Sequence, residues 1–273
     1  MKKAIYVGKR VFYYYNSAQV PMAAAALCYY LTMTFFPLII CLYTLLGYNY
    51  SSALSILSFA EGILSAETIR TVRSFLSYVE RNHSTAMLIA GMVIMLTYAS
   101  AAVRSMQVGI GLMQGRVRYT GARRIIISLV MALIFLFTSY FAILVMFTSR
   151  DLMDILNRYV PFLDIRSGWQ QIKYLMLSAL LFLAIWGVYR ISRLKGRSFS
   201  TWPGAIMATL ALVGMSFLFS AFIAVSSRYP LVYGSLASLI LLMLWMYFAC
   251  QIIYLGAAWN IARWDLKHRE DAP

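Results

Sequence analysis

The chain has 273 residues, of which 62% are hydrophobic and only 12% are charged. A soluble domain is typically about 45–50% apolar and about 25% charged, so this composition excludes an ordinary water-soluble globule and indicates a lipid environment. The formal net charge of +15 suits either a nucleic-acid-binding protein or a membrane protein with basic cytoplasmic loops, and the positions of the charges decide between these two classes.

Six apolar runs have about the length that crosses a bilayer as a helix, and none contains Asp or Glu. The first is too long for the apolar region of a signal peptide, so we interpret it as an uncleaved span. The sequence therefore predicts one all-α, polytopic membrane domain over residues 1–273. The predicted spans are about 22–47, 86–103, 125–148, 172–189, 203–226 and 231–258.

The charges follow the positive-inside rule when the N-terminus is placed in the cytoplasm. Of the 24 Lys and Arg residues, 16 then lie inside and 8 outside, whereas six of the nine acids lie outside. This bias predicts that both termini are cytoplasmic. It explains the basic charge without a nucleic-acid partner, and it predicts anionic membrane lipids as partners of the inner surface.

Three segments outside the spans have helical patterns. The N-terminal "KKAIYVGKRVFYYY" is typical of a helix lying at the inner membrane interface. Residues 53–80 place apolar positions at helical spacing, which predicts one or two amphipathic helices on the outer face. Residues 149–161 resemble a short helix that begins with a serine cap and ends before a proline.

Proline and glycine mark the conformational candidates Pro37, Pro230 and Gly234. Pro37 lies inside the first span, where it predicts a kink with either an architectural or a moving role, and a neighbouring threonine could satisfy the opened backbone. Pro230 and Gly234 lie in "SSRYPLVYGSLAS", which predicts a tight external turn between the last two spans. Pro203 suits the first turn of the fifth span.

Polar and aromatic side chains within the spans are the candidates for a substrate path. Arg104, at the end of the second span, is either functional or extends to the inner headgroups, and Gln107 could share its face. Gln251 either bonds across helices or lines the path, and the mid-span Trp245 is expected to face protein. The full candidate set is Tyr29, Tyr30, Arg104, Gln107, Trp245 and Gln251.

The sequence lacks the residue patterns of familiar catalytic sites. Its two histidines fall on opposite sides of the predicted membrane, and its three cysteines all fall in spans. It contains no metal-ligand spacing, no phosphate loop and no intramembrane pair of carboxylates. We therefore expect no catalytic residues, no bound metal and no cofactor.

Three motifs resemble those of the YihY/BrkB family of bacterial inner-membrane proteins. They are "AAAALCYYLTMTFFPLIICLYTLLG" in the first span, "WPGAIMATL" at the start of the fifth, and "YGSLASLILLMLWMYFACQIIYLGAAWN" in the sixth. The chain departs from the family at Ala258, where Glu is usual, and at Gly111, where Asn is frequent. The resemblance implies six spans, a link to envelope integrity and serum resistance, and lipid or glycolipid movement, and it comes with an older label of ribonuclease BN.

Three functions are compatible with these features. The first is transport or flipping of an anionic lipid or other amphiphile of the bacterial envelope, in the cytoplasmic membrane. The second is a non-transporting scaffold that holds an envelope protein or a second copy of the chain. The third is an intramembrane enzyme acting on lipid, for which no activated nucleophile is evident.

Overall fold

The structure is a computed structural model that describes residues 2–46, 85–115, 121–147, 165–194, 200–225 and 236–270. Regular secondary structure in these ranges is entirely α-helical. The helices are α1 (Lys2–Ser17), α2 (Val20–Leu46), α3 (Thr85–Met113), α4 (Gly121–Phe147), α5 (Ile165–Ser192), α6 (Trp202–Val225) and α7 (Leu236–Glu270).

Five of these helices, α3 to α7, are long and apolar enough to cross a membrane. In α2, which corresponds to the predicted first span, the apolar stretch within the residues described is shorter, Val20–Phe35. The large apolar side chains on the outer faces support a lipid surround: Phe137, Leu175 and Leu218 are each more than 70% exposed, which is unusual in water. The protein is therefore a multi-pass membrane protein.

Helix α3 is longer than the predicted second span, which ends at about 103. Helix α3 continues to Met113, and its candidate span is Ile89–Met113. The charge of Arg104 does not end the helix, and its guanidinium finds hydrogen-bond acceptors within the bundle. Helix α7 likewise runs past the predicted boundary at 258 to Glu270.

Helix α7 contacts α1, α2, α3 and α6, and α3 contacts α2, α4, α5 and α7. The fully buried side chains of α7 include Cys250, Tyr254 and Ile261, which pack with Leu27 of α2. A second, smaller core joins α3 to α4 through residues such as Val103 and Leu136. Helix α3 thus belongs to both cores.

Helices α6 and α7 meet at two glycines. A side chain at Gly204 or Gly256 would collide with the backbone oxygen of the other residue. Asn260 locks the joint: it accepts a hydrogen bond from the Gly204 N–H at 2.8 Å and donates to the Thr201 carbonyl at 2.9 Å. Pro203 lies in the first turn of α6, as predicted. The "WPGA" and "GAAWN" motifs are therefore the two halves of one helix joint.

Helix α1 packs against the C-terminal part of α7. Arg10 forms an ion pair with Asp265 at 3.2 Å, and the Tyr14 hydroxyl donates to the same carboxylate. Burial alone would lower the pKa of Arg10, but Tyr14 and Asp265 outweigh it, so the pKa of the guanidinium is raised. Phe12 is exposed, in keeping with the amphipathic pattern, and Tyr13 is also exposed, with its ring 5.4 Å from the Arg10 guanidinium.

Some predicted features lie outside the described residues, and the hydrogen bonds around Pro37 differ from the prediction. Residues 53–80 and 149–161, with Pro230 and Gly234, lie outside the described ranges. Helix α2 continues through Pro37. The sequence prediction is that either Thr32 or Thr34 could help satisfy the backbone that Pro37 opens at the carbonyl of Met33. They instead donate to the carbonyls of Cys28 and Tyr30, four residues back, because that is the acceptor a helical threonine reaches.

Candidate functional site

A cavity of about 450 Å³ lies between α2 and α3, beside the start of α4 and the corner between α1 and α2. We call it the arginine cavity, because two of the side chains that line it are arginines. Its lining residues are Ala18, Gln19, Met22, Ala23, Ala26, Tyr30, Ala101, Arg104, Ser105, Val108, Gly109, Leu112 and Arg124.

The wall of the arginine cavity follows from helical spacing. Helix α3 contributes positions 101, 104, 105, 108, 109 and 112, which form one stripe along its surface. Small residues occupy much of this stripe and of the facing part of α2, including Ala23, Ala26 and Ala101. Short side chains leave the space between the two helices open.

Arg104 is held in the cavity wall by uncharged partners. Its Nη1 donates to the Ser100 hydroxyl at 2.6 Å and to the Ser128 hydroxyl at 3.3 Å. The two serine oxygens lie 2.9 Å apart, and both serines are almost fully buried. The serines fix the guanidinium in place without neutralising its charge.

Arg124, near the start of α4, points to the same cavity. Its Nη2 donates to the backbone carbonyl of Arg104 at 3.2 Å. Its Nε is buried and has no hydrogen-bond partner among the described residues. None of the residues that line the cavity is Asp or Glu. Two positive charges therefore share one cavity whose described wall carries no compensating carboxylate.

The corner between α1 and α2 forms part of the cavity rim. Gln19 has a φ of +48°, a left-handed conformation that is uncommon for a residue with a side chain. Its N–H donates to the carbonyl of Asn16, and its own carbonyl accepts from the N–H groups of Met22 and Ala23. These bonds end α1 and begin α2 at a defined corner.

The structure brings two of the predicted path residues, Arg104 and Tyr30, to the same cavity. Tyr29 is 47% exposed and lies on another face, with its ring edge-on to Tyr30 at 5.4 Å. Gln107 does not share the Arg104 face: it is not a lining residue, and it is 3% exposed. Neither amide atom of Gln107 has a partner among the described residues.

The two candidates in α7 lie away from the arginine cavity. The Gln251 side-chain oxygen accepts a hydrogen bond from the Tyr15 hydroxyl at 2.9 Å, which ties α1 to α7. Trp245 is half-buried, and neither residue lines the cavity. A role for either in a substrate path stays a prediction.

Sequence reasoning missed Arg124 and the serine pair Ser100 and Ser128. Arg124 precedes the third predicted span, which begins at about 125, so in the sequence it contributes only to the count of cytoplasmic charges. The serines carried no signal, because a hydroxyl within a span usually bonds to its own helix. Within the described part of the chain, no group of three His, Cys, Asp or Glu residues could hold a metal ion.

Comparison with known proteins gives one family and one relative. The family described as virulence factor BrkB matches residues 11–273. The chain is 27% identical over 262 residues to a protein of Bacillus subtilis (strain 168) described as ribonuclease-like, YfkH, and the match covers 92% of this chain and 93% of that protein. No solved structure matches the chain significantly.

Proposed function

Since the chain belongs to the virulence factor BrkB family, we propose that it transports or flips an anionic lipid or another anionic amphiphile of the bacterial envelope. The observation that carries the proposal is the arginine cavity, where Arg104 and Arg124 face a space walled largely by apolar side chains. A charged group within a membrane bundle is costly unless it serves a ligand or a structural partner. An anionic headgroup would supply the missing counter-charge.

The proposed topology has six spans, α2 to α7, with both termini in the cytoplasm and α1 at the inner interface. It is supported by the distribution of Lys and Arg along the chain. In this orientation the corner at Gln19 and the start of α4 lie at the cytoplasmic end of the bundle. The cavity would therefore receive its ligand from the inner leaflet of the cytoplasmic membrane.

The cavity rim fits a lipid better than a water-soluble ligand. Met22 and Leu112 both line the cavity and are 67% and 57% exposed, so its opening has apolar side chains on both α2 and α3. Acyl chains could stay in the bilayer while the headgroup reaches the arginines. The ribonuclease-like name of the relative is not part of this proposal, because arginines, serines and a tyrosine supply charge and hydrogen bonds rather than a hydrolytic centre.

Reconstitution into vesicles tests the proposal. Fluorescently labelled phosphatidylglycerol, which is anionic, and labelled phosphatidylcholine, which is zwitterionic, would be followed by chemical quenching of the outer leaflet, with and without an imposed membrane potential. We expect faster leaflet exchange of the anionic probe than in protein-free vesicles. The Arg104→Gln variant should lose this exchange.

The matched control is Arg263→Gln, since Arg263 is an exposed arginine of α7 that does not line the cavity. It should behave as the unmodified protein does. Exchange no faster than in protein-free vesicles, under both conditions, would refute transport. It would favour the scaffold function, for which a stoichiometric envelope partner should then co-purify.

A further inference from the structure

The two cavity arginines have different partners from Arg10, which has a structural role. Arg10 is neutralised directly by Asp265, at 3.2 Å. Arg104 and Arg124 are instead held by hydroxyl and carbonyl oxygens, which leave their charges intact. Their arrangement is therefore that of a site prepared for an external anion.

The hydrogen-bond donors also remain only partly used. Among the described residues, both bonds from Arg104 leave from Nη1 and the bond from Arg124 leaves from Nη2, so the other terminal nitrogen of each guanidinium is not engaged there. A guanidinium has five N–H donors in a planar fork that matches phosphate oxygens. Because Arg124 bonds to the backbone of Arg104, the two forks are also fixed relative to each other, which lowers the entropy lost on binding.

We propose that Arg104 and Arg124 form a binding site for a phosphomonoester headgroup carried on an apolar tail. A phosphomonoester carries about 1.5 to 2 negative charges at neutral pH, because its second pKa is about 6. Two guanidinium groups match that charge, whereas a phosphodiester supplies only one negative charge. A zwitterionic headgroup would add an ammonium group that both arginines repel.

The size and lining of the cavity support an amphiphile as the source of the phosphate. A volume of about 450 Å³ is within the usual range for a small-molecule site, about 300–1,000 Å³, and would hold a phosphate and its linkage. Val108 and Leu112 continue the wall of α3 beyond Arg104 toward the exposed rim. The inference deepens the proposed function by naming the headgroup, but it concerns binding and does not require movement between leaflets.

The test is a competition assay on the full-length protein in uncharged detergent micelles. A fluorescent phosphatidic acid is the probe, and unlabelled phosphatidic acid, phosphatidylglycerol, phosphatidylethanolamine and inorganic phosphate are the competitors. Phosphatidic acid should compete at least about tenfold better than phosphatidylglycerol, which corresponds to one additional charge-assisted contact. Its advantage should grow between pH 5.5 and pH 8, as the monoester loses its second proton.

Substitutions assign the site. Arg104→Gln and Arg124→Gln should each weaken phosphatidic acid binding about tenfold and remove the preference over phosphatidylglycerol. Arg263→Gln should change neither. Arg104→Lys keeps the charge but loses the planar fork, so it should bind phosphatidic acid more weakly with the same pH dependence. It also tests the site if the Arg104→Gln variant misfolds. Each variant should elute as a single species in size-exclusion chromatography.

The competitors separate the two sources of phosphate. Displacement of the probe by millimolar inorganic phosphate would show that the phosphate group alone is recognised, whereas displacement by phosphatidic acid only would assign the site to a lipid. Equal binding of phosphatidic acid and phosphatidylglycerol, unchanged by Arg104→Gln and Arg124→Gln, would overturn the inference. Selective binding of phosphatidic acid without leaflet exchange would support this binding site and refute transport. Leaflet exchange without a headgroup preference would support transport and refute this binding site.

Discussion

Substituting Gly256 by alanine should destabilise the joint between α6 and α7. The added Cβ would lie 2.6 Å from the Tyr189 hydroxyl oxygen, 2.7 Å from the Gly204 carbonyl oxygen and 2.9 Å from the Ala208 Cβ, whereas ordinary contacts lie at 3.4–4 Å. The tyrosine could move, although its hydroxyl donates to the Ile253 carbonyl. The backbone oxygen cannot move alone, so the two helices must separate.

The size of the effect follows from these contacts. Overpacking of a core typically costs about 1–3 kcal/mol, and displacing the tyrosine hydrogen bond adds about 1 kcal/mol. We therefore expect a loss of about 2–4 kcal/mol in the free energy of unfolding. For a chain of this size that loss lowers the unfolding temperature by roughly 5–15 °C.

Thermal unfolding in detergent, followed by tryptophan fluorescence and by the monodisperse fraction after heating, measures this loss. Gly214→Ala is the matched control, since a Cβ at Gly214, within α6, would meet nothing within 4 Å. It should keep or slightly raise the unfolding temperature, because alanine favours helix over glycine. Adding Tyr189→Phe to Gly256→Ala should restore part of the loss. If Gly256→Ala and Gly214→Ala unfold at the same temperature, the close approach of the two helices is refuted.

Two further predictions concern the same joint and the topology. Asn260→Ala removes the side-chain acceptor of the buried Gly204 N–H and leaves the Thr201 carbonyl only a 3.4 Å bond from the Ala205 N–H, so the same heating assay should show a loss of about 2–4 kcal/mol. Cysteines placed at the exposed Lys9 and Lys267 should react with a membrane-impermeant maleimide only after cells are permeabilised, because both termini are expected in the cytoplasm. The three native cysteines are buried, so they should contribute little background labelling. Labelling of either position in intact cells would contradict that topology.

Much of the helical architecture could be predicted from hydropathy and charge, since long apolar runs in lipid have few alternatives to the helix. The differences between predicted spans and observed helices have a common physical reason. Helix α3 extends past Arg104 and α7 past residue 258, where polar residues begin. A hydropathy window detects transfer to lipid, whereas helix length also depends on partners such as Ser128 that the sequence does not reveal. The family resemblance drawn from three motifs is confirmed by the match over residues 11–273.

The candidate site was harder to predict because it depends on helix rotation. Arg104 could be singled out as a charge at membrane depth, but its partner in the cavity, Arg124, comes from another helix whose facing direction is set by packing. Gln107 illustrates the same limit: three positions from Arg104 on the helix, it lies buried away from the cavity. Gln251 bonds to Tyr15 of α1, a helix too polar for hydropathy to place.

The helix joint and the arginine cavity are connected through Tyr254. Its ring packs against Gly109, where an added Cβ would lie 2.5 Å from a ring carbon, and its hydroxyl donates to the Ser105 carbonyl at 3.3 Å. Gly109 and Ser105 both line the cavity, so a fully buried side chain of α7 stands directly behind the cavity wall. Asn260, less than two turns further along α7, joins this helix to α6, so we expect packing to restrain this side of the cavity. The opposite wall is formed by the small residues of α2 and the corner at Gln19, with Arg124 of α4 beside them, so we expect a change of cavity width to come from these elements rather than from α3.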